Sequence, residues 1–244
     1  MSSDELDRDG FQILRGAVPR SMVKHLLDVC TQTLIQESES VRARSSRGHV
    51  YAARNLIGSI PEVTTVWQCE PLIDFLKKQL GDELGLVRAL FFDKPPDRTW
   101  ALPWHKDTSV AVEDNAVDSD CFSRPTVKAG VPHFIAADDV LRRMLTLRIH
   151  LDEVTDENGP LRVIPRSHHS SDSDGEDVSA AMSIFAKAGD VLAMRPLLSH
   201  CSGSSQPGTR RHRRILHLEF AESRILPDGV KWHDFVAPTS ASGC

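Results

Sequence analysis

Arg213-Arg214-Ile215-Leu216-His217-Leu218-Glu219-Phe220 divides cleanly into two faces. Successive side chains of an extended strand point to opposite sides. Leu216, Leu218 and Phe220 therefore share one side with Arg214, a face suited to packing under helices. Ile215, His217 and Glu219 share the other with Arg213, a more polar face suited to a barrel interior. Three more runs behave as strands. In Met144 to Asp152, Leu145, Leu147, Ile149 and Leu151 alternate with Thr146, Arg148 and His150. Leu161 to Ile164 follows the turn Asn158-Gly159-Pro160, and Asp190 to Met194 follows Gly189. Short strand-like runs separated by Gly, Pro and Asn turns predict antiparallel sheets closed into a sandwich or barrel.

Upstream the texture differs. Asp9 to Val18 alternates loosely, like a short strand after a glycine turn. Met22 to Leu34 has the apolar spacing of an amphipathic helix, and Pro71 to Leu80 forms a second one ended by Gly81. Residues 36 to 49 read as a solvated loop. The expected fold class is thus mostly β with flanking α, in a single domain over 1–244. A helical part over about 1–85 braces a β-barrel core over about 86–235, with a flexible C-terminal tail. Two polar stretches, Val112 to Arg124 and His169 to Ser179, read as long loops. Loops over 112–133 and 169–180 are expected to close over a substrate.

Composition narrows the function classes. At 244 residues and 40% hydrophobic content, the chain can bury a sizeable core without disulfides or oligomerisation. A net charge of -5, from 34 acidic and 29 basic residues, gives no overall attraction to nucleic acid or an anionic membrane. Five scattered cysteines without CxxC spacing argue against a disulfide framework or a cysteine-type zinc site. The N-terminus is polar, and no apolar run approaches the ~20 residues of a membrane span. The expectation is a cytoplasmic protein, a monomer or weak homo-oligomer, whose partner is a small-molecule substrate.

Pro103-Trp104-His105-Lys106-Asp107 contains a His-x-Asp. On a strand, His105 and Asp107 present one nitrogen and one oxygen to a common point. With a second histidine from a distant strand they would make a 2-His-1-carboxylate triad, which leaves half of an iron's coordination sphere open. Alone, such a pair is more often an ordinary surface pair. Downstream lies Leu198-Ser199-His200-Cys201-Ser202-Gly203, then the basic cluster Arg210 to Arg214. A histidine near one strand end and an arginine opening the next can set a guanidinium near a metal, although the cluster alone reads equally as a solvated turn. The planar arginine fork matches a carboxylate such as the distal one of 2-oxoglutarate.

The order His-x-Asp, long gap, His, then Arg resembles the phytanoyl-CoA dioxygenase family of Fe(II)/2-oxoglutarate oxygenases, especially its small bacterial-type members. The resemblance is carried by Asp9-Gly10-Phe11, Phe92-Asp93-Lys94, residues 103–107, Val127 to His133, Asn158 to Pro165 with Ser167-His168, Gly189-Asp190, Met194 to His200 and Arg213 to Phe220, in order through nearly the whole chain. It implies a double-stranded β-helix, a distorted jelly-roll or cupin-like barrel. It assigns His105, Asp107 and His200 to iron, Arg213 to the distal carboxylate of 2-oxoglutarate, and Ser202 to the same carboxylate. Arg211 competes with Arg213 because the intervening loop is about two residues longer than in many relatives; strand phase favours Arg213. Lys94, Trp104, Thr146 and Arg148 are further candidates around the cofactor, whereas His133, His150, His168 and His217 read as structural or supporting groups. Arg166 stands where relatives keep a glycine, which argues against a left-handed turn there.

The reaction implied is hydroxylation by O2, with 2-oxoglutarate converted to succinate and CO2. Asp107 argues for hydroxylation over halogenation, since halogenating relatives carry a small residue there. A cupin-like zinc or manganese enzyme and a catalytically inactive binding module of the same fold are the alternatives.

Overall fold

The computed structural model describes residues 3–36, 43–46, 49–96, 99–170 and 177–239. In chain order the helices are α1 (Ser3–Asp9), α2 (Arg20–Gln36), α3 (Pro61–Thr65), α4 (Leu72–Leu80) and α5 (Asp138–Leu141). The first strands are β1 (Phe11–Leu14), β2 (Ala43–Ser46), β3 (His49–Ala53), β4 (Gly85–Lys94), β5 (Leu102–His105), β6 (Ser109–Ala111), β7 (Phe122–Lys128) and β8 (Val131–Ala136). They are followed by β9 (Met144–His150), β10 (Leu161–Val163), β11 (Met182–Ile184), β12 (Val191–Met194), β13 (His200–Ser202) and β14 (Arg213–Ala221).

Among the described residues these strands make three antiparallel sheets, of order β1-β12-β9-β14-β4-β3-β2, β11-β10-β13-β5 and β6-β8-β7. The fold is therefore mostly β, as the runs of period two imply. The helix side of the large sheet is sealed by Leu216, Leu218 and Phe220 of β14 with Leu145, Leu147 and Ile149 of β9, packed with Leu26, Leu72, Leu76 and Trp67. Trp67 meets Phe220 edge-on, ring centroids 5.2 Å apart. Burying such side chains stabilises the fold by roughly 1.5–3 kcal/mol each. The opposite phase of the same strands carries Thr146, Arg148, His150, Arg213, His217 and Glu219, all buried.

Several expectations need correction. The strand expected within Asp9 to Val18 is present as β1, which closes one edge of the large sheet, and the β2–β3 hairpin closes the other. That hairpin occupies part of the 36–49 segment read as a loop; residues 37–42, 47 and 48 lie outside the described residues. The 112–133 segment is a loop only up to residue 121; from Phe122 onward β7 and β8 pair as a hairpin. Its signal was hidden because β7 buries little beyond Phe122, which stacks with Phe134 at 5.7 Å. Of the 169–180 segment, residues 171–176 lie outside the described residues, and Val178–Ala180 form a 3-10 turn. Arg166 does adopt the left-handed conformation, at φ 71°. Its N–H donates to the Asp9 carbonyl at 2.9 Å, and the Ser167 hydroxyl beside it donates to the Ile164 carbonyl at 2.7 Å. Such bonds offset a strain of about 1–3 kcal/mol. Cys30, Cys121 and Cys201 are free thiols, whereas Cys69 is disulfide-bonded. Among the described residues, no helix is long and apolar enough to cross a membrane.

Candidate metal centre

Strand β5 ends at His105, and β13 begins at His200 directly opposite it. Asp107 follows two residues later, its N–H held by the Pro196 carbonyl at 2.9 Å. Ligand atoms of His105, Asp107 and His200 thus lie within 4.8 Å of one another. His105 Nε2 is 3.8 Å from one Asp107 oxygen and His200 Nε2 is 3.6 Å from the other. Each histidine is oriented by its own backbone: Nδ1 of His105 donates to the Pro103 carbonyl (2.7 Å), and Nδ1 of His200 to the Leu198 carbonyl (2.9 Å). Both Nε2 lone pairs are then left for a metal. Ser167 steadies this end, its hydroxyl accepting from the Ser199 N–H at 2.8 Å.

The electrostatics suit a cation. Burial opposes ionisation of Asp107, but His200, His217, His105 and Arg148 outweigh it and hold the carboxyl at about 2. Its Oδ2 is nonetheless buried without a hydrogen-bond partner. Burial lowers His200 to about 4, leaving the ring neutral, the form in which histidine ligates. Two imidazoles and one carboxylate whose Oδ2 has no hydrogen-bond partner make a donor set that fits a divalent first-row metal with open positions.

A cavity of about 410 Å³ opens on this cluster. Arg213, Arg148, Phe92 and Glu219 line it from the large sheet, Leu161, His200 and Ser202 from the four-stranded one, and Ser109 and Ile135 from the third. Arg213 is buried, and its Nε and Nη1 have no acceptor. Burial and the neighbouring Arg148 lower it to about 9. Lys94 is fully buried across from it, its ammonium 3.4 Å from the Ser202 hydroxyl and 4.7 Å from the Trp100 ring centre. Burial, then Arg213 and Arg148, lower Lys94 to about 7. Arg148 donates to His217 (3.1 Å), and His217 bonds Glu219 (3.2 Å), which also takes the Arg88 guanidinium (3.2 Å).

The expected site residues therefore divide. His105, Asp107, His200, Ser202, Arg148 and Arg213 line one cavity, with Lys94 touching Ser202. Thr146 is buried opposite Glu219 but does not line it. Trp104 does not line it either; the Arg162 guanidinium lies over its ring at 5.8 Å. Arg211 is half-exposed and paired with Glu153 and Glu157 (3.0 and 3.3 Å). The sequence reading missed Arg54, Arg88, Trp100 and Lys128, which also line the cavity. Arg88 had a visible signal, a lone charge within the apolar run Leu86 to Leu90. Lys128 lay within Val127 to His133, one of the stretches that carry the family resemblance, whereas Arg54 had no signal because a distant contact brings it in.

A candidate three-ligand metal site inside a mostly antiparallel β fold points to the class. Residues 6–212 match the phytanoyl-CoA dioxygenase family, and the chain belongs to it. No curated protein matches the sequence significantly. Among solved structures, the fold is similar to the non-haem monooxygenase ThoJ, with TM-score 0.68 and 17% identity over 97% of this chain and 84% of that one. It is also similar to EctD from S. alaskensis with 2-oxoglutarate and 5-hydroxyectoine (0.66; 20% identity; 90% and 74% covered). A third likeness is to SnoN, a non-haem α-ketoglutarate-dependent epimerase from nogalamycin biosynthesis (0.65; 18%; 98% and 92%). At these identities the likeness establishes the fold, and reaction type varies across it.

Proposed function

We propose that the chain is a non-haem Fe(II), 2-oxoglutarate-dependent dioxygenase that hydroxylates an unactivated C–H of a small molecule on a double-stranded β-helix. The observation that carries this is the pairing of a three-ligand metal set with a buried arginine lacking an acceptor. His105, Asp107 and His200 would hold the iron, which when bound supplies O2 activation at the expense of 2-oxoglutarate, split to succinate and CO2. Arg213 offers its planar fork to the distal carboxylate of the co-substrate, an interaction worth more in a dry site than in water. The Ser202 hydroxyl adds a donor, and Lys94 adds charge beside it. Arg148, tied to His217, keeps positive charge near Asp107 and favours its ionised form. Phe92, Trp100 and Leu161 present apolar walls that keep bulk water from the reacting carbon.

The carboxylate at Asp107 supports hydroxylation over halogenation, since halide would need that position on the metal. A hydrolytic zinc or manganese centre would have no use for the buried Arg213. The test is turnover without added substrate: Fe(II)-loaded protein given 2-oxoglutarate and O2 should release succinate slowly, and His200→Ala and Arg213→Ala should each abolish it. Metal-loaded wild type that releases none would overturn the reading.

A further inference from the structure

Arg148 is a buried cation whose hydrogen bond goes to a ring rather than to a carboxylate. It lies on β9 directly opposite His217 of β14, and among the described residues its Nη1 donates to His217 Nδ1 at 3.1 Å. Its Nε is buried without an acceptor. A guanidinium only donates, so the ring nitrogen facing it accepts and carries no proton. The His217 proton is therefore on Nε2, where it donates to Glu219 Oε1 at 3.2 Å.

Glu219 is fixed in turn. Arg88 reaches its two oxygens at 3.2 and 3.4 Å and also donates to the Ser109 carbonyl at 3.1 Å. Arg88, Glu219, His217 and Arg148 thus form one buried chain that lines the cavity. Arg88 and Glu219 cancel in charge, and a ring that accepts at Nδ1 is neutral. The chain therefore ends in one unpaired positive charge, at Arg148. Burying such a charge is costly unless a counter-charge enters.

The place of that charge identifies the anion. His217 stands four positions along β14 from Arg213, and Arg148 is opposite it. The charge of Arg148 bears on Asp107 and His200 at the metal ligands, and on Arg213 and Lys94 at the other end of the proposed site. A keto diacid held at both ends passes within its reach. Arg213, Lys94 and Ser202 already supply donors for one carboxylate, and Arg148 is left for the other.

We propose that Arg148 donates to the metal-proximal carboxylate of 2-oxoglutarate, and that His217 and Glu219 are positioning residues that hold its guanidinium for that contact. A chain fixed at every joint leaves the guanidinium little freedom to turn away. The inference rests on the oxygenase reading above and gives the keto-acid end of the co-substrate its own protein anchor.

The test uses 2-oxopentanoate, which keeps the keto-acid end of 2-oxoglutarate and lacks the distal carboxylate. Anaerobic calorimetric titration of the protein at saturating Mn(II) measures the affinity of each keto acid. Wild type should bind both, 2-oxopentanoate more weakly. Arg148→Met should weaken both by a similar factor, about tenfold or more, as loss of a hydrogen bond to a charged group does. Arg213→Met should weaken 2-oxoglutarate alone. His217→Leu should reproduce part of the Arg148→Met loss for both ligands, and it serves if Arg148→Met fails to fold. His217→Asn returns an acceptor to Arg148 and should recover that loss; an asparagine no better than leucine would remove the positioning role. Weakening of 2-oxoglutarate alone in Arg148→Met, affinities unchanged in the folded variants, or a wild type that binds 2-oxoglutarate and no 2-oxopentanoate would overturn the assignment. A wild type that binds Mn(II) and neither keto acid would overturn the oxygenase reading, and the assignment with it.

Discussion

Arg213 and Lys94 stand directly opposite each other on neighbouring strands, two buried cations in register. Like charges so placed destabilise a sheet, and the nearby Arg148 adds to the repulsion. The arrangement fits a site that spends stability on holding an anion. Arg213→Met should therefore do two opposite things. Melting of the ligand-free protein should rise, by about 1 kcal/mol of stability, as buried charge is replaced by packing. Affinity for 2-oxoglutarate should fall about 10–100-fold with the loss of a charge-assisted bond. A drop in both would mean that Arg213 is structural. Arg211→Ala, by contrast, removes only exposed ion pairs and should change stability by less than about 1 kcal/mol.

Lys94 predicts a proton uptake. With its pKa at about 7 in the ligand-free protein, it is partly neutral at neutral pH, and an arriving carboxylate favours its charged form. Affinity for 2-oxoglutarate should then weaken as pH rises above 7, and Lys94→Met should flatten that dependence. Calorimetry in buffers of different ionisation enthalpy measures the proton directly; no uptake in wild type would remove Lys94 from the co-substrate site.

Acid stability turns on two histidines. Burial, then Arg148 and Arg213, lowers His150 to about 3, and burial is the largest influence lowering His133 to about 4. Unfolded, both take protons near pH 6.5. The unfolded state therefore binds more protons between that pH and these folded values, and stability is lost as pH falls through the window. Both ring nitrogens of His150 lack partners, so His150→Phe should shallow the acid limb of stability against pH. An unchanged limb in urea melts from pH 7 to 4 would show that other groups control it.

Gly159 carries φ 65°, and a Cβ there would collide with the Gly203 carbonyl and crowd the Lys94 ammonium. Gly159→Ala should cost about 1–3 kcal/mol and weaken 2-oxoglutarate binding through displaced Lys94. A variant with wild-type melting and affinity would show that the turn relaxes freely.

How much of this was legible beforehand depends on where the information sat. The two faces of β14 and β9 were readable because apolar and polar residues alternate without interruption, and those faces place Arg213 inside and Arg214 outside, bonded to Asp152 at 2.7 Å. The β7–β8 hairpin was not, because a strand with nearly every side chain in solvent has no apolar period to detect. Trp104 illustrates the limit of a motif: its neighbours His105 and Asp107 line the cavity, and alternation turns it elsewhere. Arg54 reaches the cavity by tertiary contact alone, the amide of its neighbour Asn55 donating to the Ala129 carbonyl at 3.3 Å.

The central claim is that one cavity holds iron through His105, Asp107 and His200 and 2-oxoglutarate through Arg213. Anaerobic titration of the Fe(II)-loaded protein with 2-oxoglutarate, followed by visible absorption, tests it most directly. Wild type should develop a weak metal-to-ligand charge-transfer band that saturates, His200→Ala should lose it with the metal, and Arg213→Ala should bind iron yet need far more 2-oxoglutarate. A wild type that binds Fe(II) tightly and shows no band at any concentration of 2-oxoglutarate would contradict the account.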